Sequence, residues 1–239
     1  MLSTRFLVCL LAVVLFHTSA YADYMSDKTS DTVEATGIIY KEAFVNKGGR
    51  KIEGVFTWYF KTGDKSYFIK SCEGNTTTPR FVQCNGMQVK VSLSYKRGLW
   101  DVCDGNKNAQ SRFGDYVAIY SLEVESDLNT YGYADGSGNV YKLTSDNLEY
   151  IPVKKENSSS GEYSGGEPAK VSVSKAQFDV LVSMMKGIIL DKSIHIENRE
   201  MMTGMIRVSY DDESDVTLFK KGDRMALLEN ALKFILNKK

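Results

Sequence analysis

Val89–Lys96 reads VKVSLSYK. Val89, Val91, Leu93 and Tyr95 alternate with Lys90, Ser92, Ser94 and Lys96. A period of two sends the apolar set to one face and the polar set to the other, as in a half-buried strand. Upstream, Val55–Lys61 (VFTWYFK) repeats the pattern. Phe56, Trp58 and Phe60 share one face, and Thr57, Tyr59 and Lys61 share the other. Gly63-Asp64 turns the chain into Ser66–Lys70 (SYFIK), which predicts a hairpin. Thr36–Phe44 (TGIIYKEAF) is an earlier strand, ended by Asn46-Lys47-Gly48-Gly49, and Tyr116–Leu122 (YVAIYSL) is the fifth. Cys72–Gly86 connects the third strand to the fourth, with a helical turn around Arg80–Gln83. The polar loop Arg97–Gly114 connects the fourth to the fifth.

Five strands with an insert after the third resemble an OB-fold, a five-stranded Greek-key barrel. The resemblance covers residues 33–125 and rests on strand order; a sandwich is the competing arrangement for such spacing. It implies a ligand face across strands two and three, where Thr57, Tyr59, Lys61 and Lys70 face outward. The run GLWDVCDGN…QSRFGDYVAIYSLE (Gly98–Glu123) also resembles a segment of secreted bacterial proteins without an assigned activity.

The second half reads differently. Ser126–Gly138 is a polar joint, and Val140–Leu143 with Leu148–Val153 predicts a hairpin across Thr144–Asn147. Glu156–Gly166 (ENSSSGEYSGG) is a low-complexity loop. Ser174 and Gln177 have capping-box spacing, and Phe178, Leu181, Met185 and Ile188 follow on one helical face. Met205–Tyr210 and Val216–Lys220 flank the charged tip Asp211-Asp212-Glu213-Ser214. Asp223 is placed to cap a last helix striped by Met225, Leu228, Leu232 and Ile235. The expected fold is therefore two-domain: an all-β, OB-like five-stranded barrel over 23–125, a hairpin and flexible linker over 126–170, and an α+β domain over 171–239. In the last domain two helices pack on an antiparallel sheet.

Met1–Ala22 (MLSTRFLVCLLAVVLFHTSAYA) has an early Arg5, an apolar run from Phe6 to Phe16 and Ala20-Tyr21-Ala22. These are the parts of a secretory signal peptide cleaved after Ala22, which predicts a secreted or periplasmic protein without a membrane span. Thirty Lys+Arg balance 30 Asp+Glu, so neither half is a basic nucleic-acid binder. Cys72, Cys84 and Cys103 follow the leader. An oxidising compartment favours one disulfide among them, and Cys72 with Cys84, which flank a short segment between strands, is the expected pair; pairing through Cys103 stays open.

Catalytic signals are sparse. His195 is the sole histidine after the leader, and its plainer reading is a surface residue beside Glu197 and Arg199. Asp101, Asp104, Asn106 and Asn108 crowd one loop; oxygen ligands so spaced suit Ca²⁺, and equally suit a turn-rich loop that satisfies its own backbone. No other cofactor is implied. Trp100 opens the same loop and Arg112 closes it. Tyr59, Trp100, Asp101, Asp104, Asn106, Asn108 and Arg112 are therefore the candidate binding residues, Trp100 being either a loop anchor or an exposed hot spot. The expected function is binding of an extracellular or envelope protein partner, with no catalytic residue assigned and no nucleic acid bound. The alternative is an extracellular hydrolase using paired carboxylates.

Overall fold

The computed structural model describes residues 32–74, 78–101, 112–158 and 160–237. The predicted leader, and Asp104, Asn106, Asn108 and Cys103, lie outside them.

The five predicted strands form, and all but β3 are longer than their apolar patterns: β1 (Val33–Val45), β2 (Lys51–Thr62), β3 (Lys65–Ile69), β4 (Met87–Leu99) and β5 (Phe113–Asp127). They make one mixed sheet that closes in a ring, in the order β1-β2-β3-β5-β4. The β1–β2, β2–β3 and β4–β5 pairs are antiparallel, whereas β3 and β5 run parallel with Phe68 opposite Tyr116. A short helix, α1 (Thr78–Val82), falls where the helical turn was expected. Its Phe81 is 2 % exposed and meets Trp58 edge-on at 5.5 Å, so the connector closes one end of the core.

Alternation explains the ring core. Val89, Val91 and Leu93 of β4 are buried with Ile39, Phe60, Val117 and Ile119. Tyr95 belongs to the same period yet is exposed, because β4 and β5 run on together to Leu99 and Phe113, both also exposed. Phe56 departs from its expected core place in the same way. It stands midway along β2, 37 % exposed, under the Lys41 ammonium at 4.1 Å. Gly37 is fixed by close approach, since a Cβ there would sit 2.3 Å from the Lys61 carbonyl oxygen and 2.6 Å from the Phe60 ring.

The second half forms a six-stranded antiparallel sheet, ordered β11-β10-β6-β7-β8-β9. Its strands are β6 (Thr130–Ala134), β7 (Val140–Leu143), β8 (Asn147–Ile151), β9 (Ala169–Ser172), β10 (Gly204–Tyr210) and β11 (Glu213–Phe219). The joint read at Ser126–Gly138 thus contains a strand, β6, whose Tyr131 and Tyr133 enter the core. Its alternation is masked in sequence by Gly132 and by the tyrosine hydroxyls. Two helices, α2 (Lys175–Leu190) and α3 (Asp223–Leu236), cover one face. Ser174 caps α2 in a reciprocal capping box with Gln177. The cap of α3 differs from expectation: Gly222 is the N-cap, without a side-chain hydrogen bond, and Asp223 is the first helical residue. After α2 the chain makes a 3₁₀ turn, Lys192–Ile194, followed by a single bridge from His195 to Phe219.

The expected Cys72–Cys84 bridge is not formed. Cys84 is a free thiol. It follows α1 and points into the ring core, where it donates to the Arg80 carbonyl at 3.4 Å. Cys72 is disulfide-bonded, but not to Cys84. Burial pushes the Cys84 thiol above its ordinary pKa, opposed by the nearby Lys186 and Arg80 charges. A thiol both buried and protonated is inert. Mass spectrometry of iodoacetamide-treated protein is expected to find the Cys84 peptide unmodified in the native state and fully modified in guanidinium. Gly37→Ala is expected to lower stability by about 1–3 kcal/mol in urea unfolding, through overpacking against Phe60.

Candidate functional site

The outer face of β1, β2 and β3 carries a row of stacked rings. Register sets Tyr40 opposite Tyr59, and Tyr59 opposite Phe68. Opposed residues in a sheet point the same way, so three strands place their aromatics side by side. Tyr40 and Tyr59 stack at 5.1 Å and 16°, and Tyr59 meets Phe68 at 5.1 Å. Phe68 stacks on Trp100 at 3.9 Å and 5°. At the other end Tyr210 of β10 meets Tyr40 at 6.5 Å. The row therefore runs from the second sheet across the ring sheet to the residue after β4.

Gly114 makes the Trp100 end possible. A Cβ there would lie 3.3 Å from the Phe68 ring and 3.6 Å from Trp100, so β5 passes beneath the stack with a bare backbone. Trp100 is 8 % exposed, which selects the anchoring role of the two readings offered by sequence. Asp101 next to it accepts the Arg112 backbone N–H through Oδ1 at 2.6 Å. The Arg112 guanidinium donates to the Val45 carbonyl and lies 4.5 Å from the Phe44 ring centroid and 6.0 Å from that of Trp100. Arg112 thereby links the end of β1 to the start of β5.

Four of the sequence candidates, Tyr59, Trp100, Asp101 and Arg112, thus belong to one neighbourhood. Of the proposed calcium ligands only Asp101 lies among the described residues, and among those residues no group of three or more Asp, Glu, His or Cys is placed to hold a metal. Sequence reasoning did not single out Tyr40, Phe68 or Tyr210. Their signal was cross-strand register, which a one-dimensional reading does not contain.

The Tyr59 hydroxyl is held well above its ordinary pKa, first by burial, then by the Glu42 carboxylate and Tyr40. Tyr40 is raised too, chiefly by burial, against the hydrogen bond its hydroxyl gives Ser66 at 3.0 Å. Both rings stay neutral across the physiological range and offer a hydroxyl at the edge of an apolar face.

Beyond Phe68 the same face becomes charged. Glu73 accepts from Lys70 at 2.6 Å and Lys96 at 2.8 Å, and the Tyr116 hydroxyl donates to it at 3.2 Å. Burial opposes ionisation of Glu73, but the two lysines outweigh it and bring the carboxyl down to about 2. Asp191, the other described carboxylate with a marked shift, is also lowered, by the hydrogen bond from Ser193 against a smaller opposing desolvation. Neither shift is in the direction of a general acid, whose pKa must be raised. His195 sits half-buried with Nε2–H donating to the Ile188 carbonyl at 3.0 Å, a packing role at the end of α2.

No family model, curated protein or solved structure matches the chain. Among the described residues no helix is long and apolar enough to cross a membrane.

A carboxylate with a depressed folded pKa contributes stability that is complete above its unfolded value, near 4.3, and lost as pH falls through about 2. Glu73→Gln is therefore expected to lower the unfolding temperature at pH 7. The gap from the parent protein should narrow from about pH 4.5 downward and nearly close by pH 2, as read by circular dichroism melts.

Proposed function

We propose that the chain is an exported binding protein whose ring sheet is an OB-type barrel and whose outer aromatic face recognises an extracellular or envelope protein. Three features support the barrel reading: the ring order β1-β2-β3-β5-β4, the parallel β3–β5 pair and the short helix after β3. The export reading rests on the leader pattern at Met1–Ala22.

The observation that carries the binding reading is the aromatic row Tyr210–Tyr40–Tyr59–Phe68–Trp100. Tyr40, Tyr59 and Phe68 are half-buried on the outside of a sheet, where alternation would ordinarily place polar residues. Tyrosine, tryptophan and arginine are the residues that dominate protein–protein contacts, because each combines a large apolar area with a polar tip. Arg112 flanks the row and Glu42 approaches Tyr59, so the face is close to electrically neutral. That balance favours a protein surface over a phosphate backbone, which calls for clustered cations.

The test is affinity capture from the secreted and envelope fraction, with the exported chain and its Tyr59→Lys variant as baits. One stoichiometric protein retained by the parent and reduced at least tenfold by the variant is the expected result. Equal capture by both removes the aromatic face from the reading, and capture of nothing by the parent overturns the protein-partner assignment.

A further inference from the structure

The two sheets keep separate hydrophobic cores, and a cavity lies between them. Cys84 and Met87 belong to the ring core; Tyr131 belongs to the core of the six-stranded sheet, and Ile189 and Val208 pack against it. All five line one cavity of about 460 Å³, within the span of about 300–1,000 Å³ typical of small-molecule sites. Its walls are mostly apolar, and three exposed apolar side chains converge on it from separate elements. These are Val82 at the end of α1, Val124 of β5 and Leu190 at the end of α2. Apolar residues exposed singly are ordinary on a protein surface; three gathered on one concavity mark a binding site.

We infer that this cavity binds a small uncharged amphiphile, a hydrocarbon chain with a neutral polar end, which fills the space between the two cores.

The absence of free charge selects the class. Lys186 and Asp215 line the cavity, and each already has its counter-ion. The Lys186 ammonium donates to Asp127 at 3.0 Å, and the Lys41 ammonium lies 2.8 and 2.7 Å from the two Asp215 oxygens. Asp127 also accepts from Tyr131 and twice from Asn129, so its oxygens are occupied. The Cys84 thiol and Tyr131 phenol are both pushed up, first by burial, and stay neutral. An entering ion would shed its hydration and meet no unpaired charge in return. A hydrocarbon chain gains by leaving water, in proportion to the apolar area it covers. Its neutral end finds amides at the wall: Gln83 and Asn85 both line the cavity. Asn85 accepts the Lys41 backbone N–H at 3.0 Å through its oxygen, which leaves its NH₂ group to donate.

Isothermal titration of the exported chain with 1-octanol tests the assignment, with octanoate and n-octylammonium as ions of the same chain length. One octanol per chain is expected, bound at least tenfold more tightly than either ion, with a rise in unfolding temperature. Val124→Trp puts a bulky ring at the rim and should weaken octanol at least tenfold. Leu190→Ser alters a side chain that is 75 % exposed, so it should weaken octanol threefold or more without lowering the unfolding temperature of the free protein. Tyr59→Lys, on the aromatic row, should leave octanol affinity unchanged, which separates this site from the protein-binding face. Absence of octanol binding, equal or tighter binding of either ion, loss of octanol binding in Tyr59→Lys, or parental affinity in both Val124→Trp and Leu190→Ser overturns the inference.

Discussion

The Asp127 carboxylate joins the two sheets. It stands at the last residue of β5, where the chain leaves the ring sheet, and its side chain is 12 % exposed. Oδ1 accepts the backbone and amide N–H groups of Asn129, at 3.1 and 2.7 Å. Oδ2 accepts the Tyr131 hydroxyl at 2.7 Å and the Lys186 ammonium at 3.0 Å. One side chain thus fixes the exit of β5, the entry of β6 and the flank of α2. A buried carboxylate with four donors is favourable where the same group with one donor would not be, because each lone pair recovers part of the lost hydration.

Neighbouring bonds extend that hub into the ring sheet. The Asn129 amide donates to the Asn85 carbonyl at 2.8 Å, Leu128 N–H donates to Gly86 at 3.0 Å, and Gly86 N–H donates to Ile39 of β1 at 2.8 Å. Lys41 adds a second tie, from the inner side of β1 to Asp215 of β11 at 2.7 Å. Asp215 is largely exposed, so solvent screens this pair and its worth lies in orientation more than in stability. The arrangement has a cost. With both Asn129 amide hydrogens used, its buried Oδ1 is left without a partner. Orientation matters because the aromatic row crosses the same boundary, from Tyr210 on β10 to Tyr40 on β1.

How much of this could be read in one dimension depends on the residue. Val89, Val91 and Leu93 announce β4 because a period of two is visible wherever one face is buried. Ser174 with Gln177 announces α2 because the capping box is a contact between near neighbours. Tyr131 and Tyr133 of β6 hid in a stretch rich in Gly, Asp and Asn, where turn chemistry outweighed a short apolar alternation. Cys84 misled for a related reason: proximity to Cys72 along the chain suggested a bridge, but α1 turns its side chain inward beside Phe81 and Met87. The candidate site was half legible. Tyr59 declared its face by alternation, and Trp100, Asp101 and Arg112 were marked by their loop. Their assembly with Tyr40 and Phe68 depends on strand register, a long-range property.

Tyrosine gives the molecule a common device. Among the described residues four tyrosines are buried: Tyr116, Tyr131, Tyr133 and Tyr141. Tyr116 donates to Glu73, Tyr131 to Asp127 and Tyr133 to Glu229. In each case burial first, and the paired carboxylate with it, pushes the phenol above its ordinary pKa. Each is therefore a permanent donor, and each satisfies a carboxylate that the fold has drawn out of water. Tyr141 shares the burial and the upward push but not the partner.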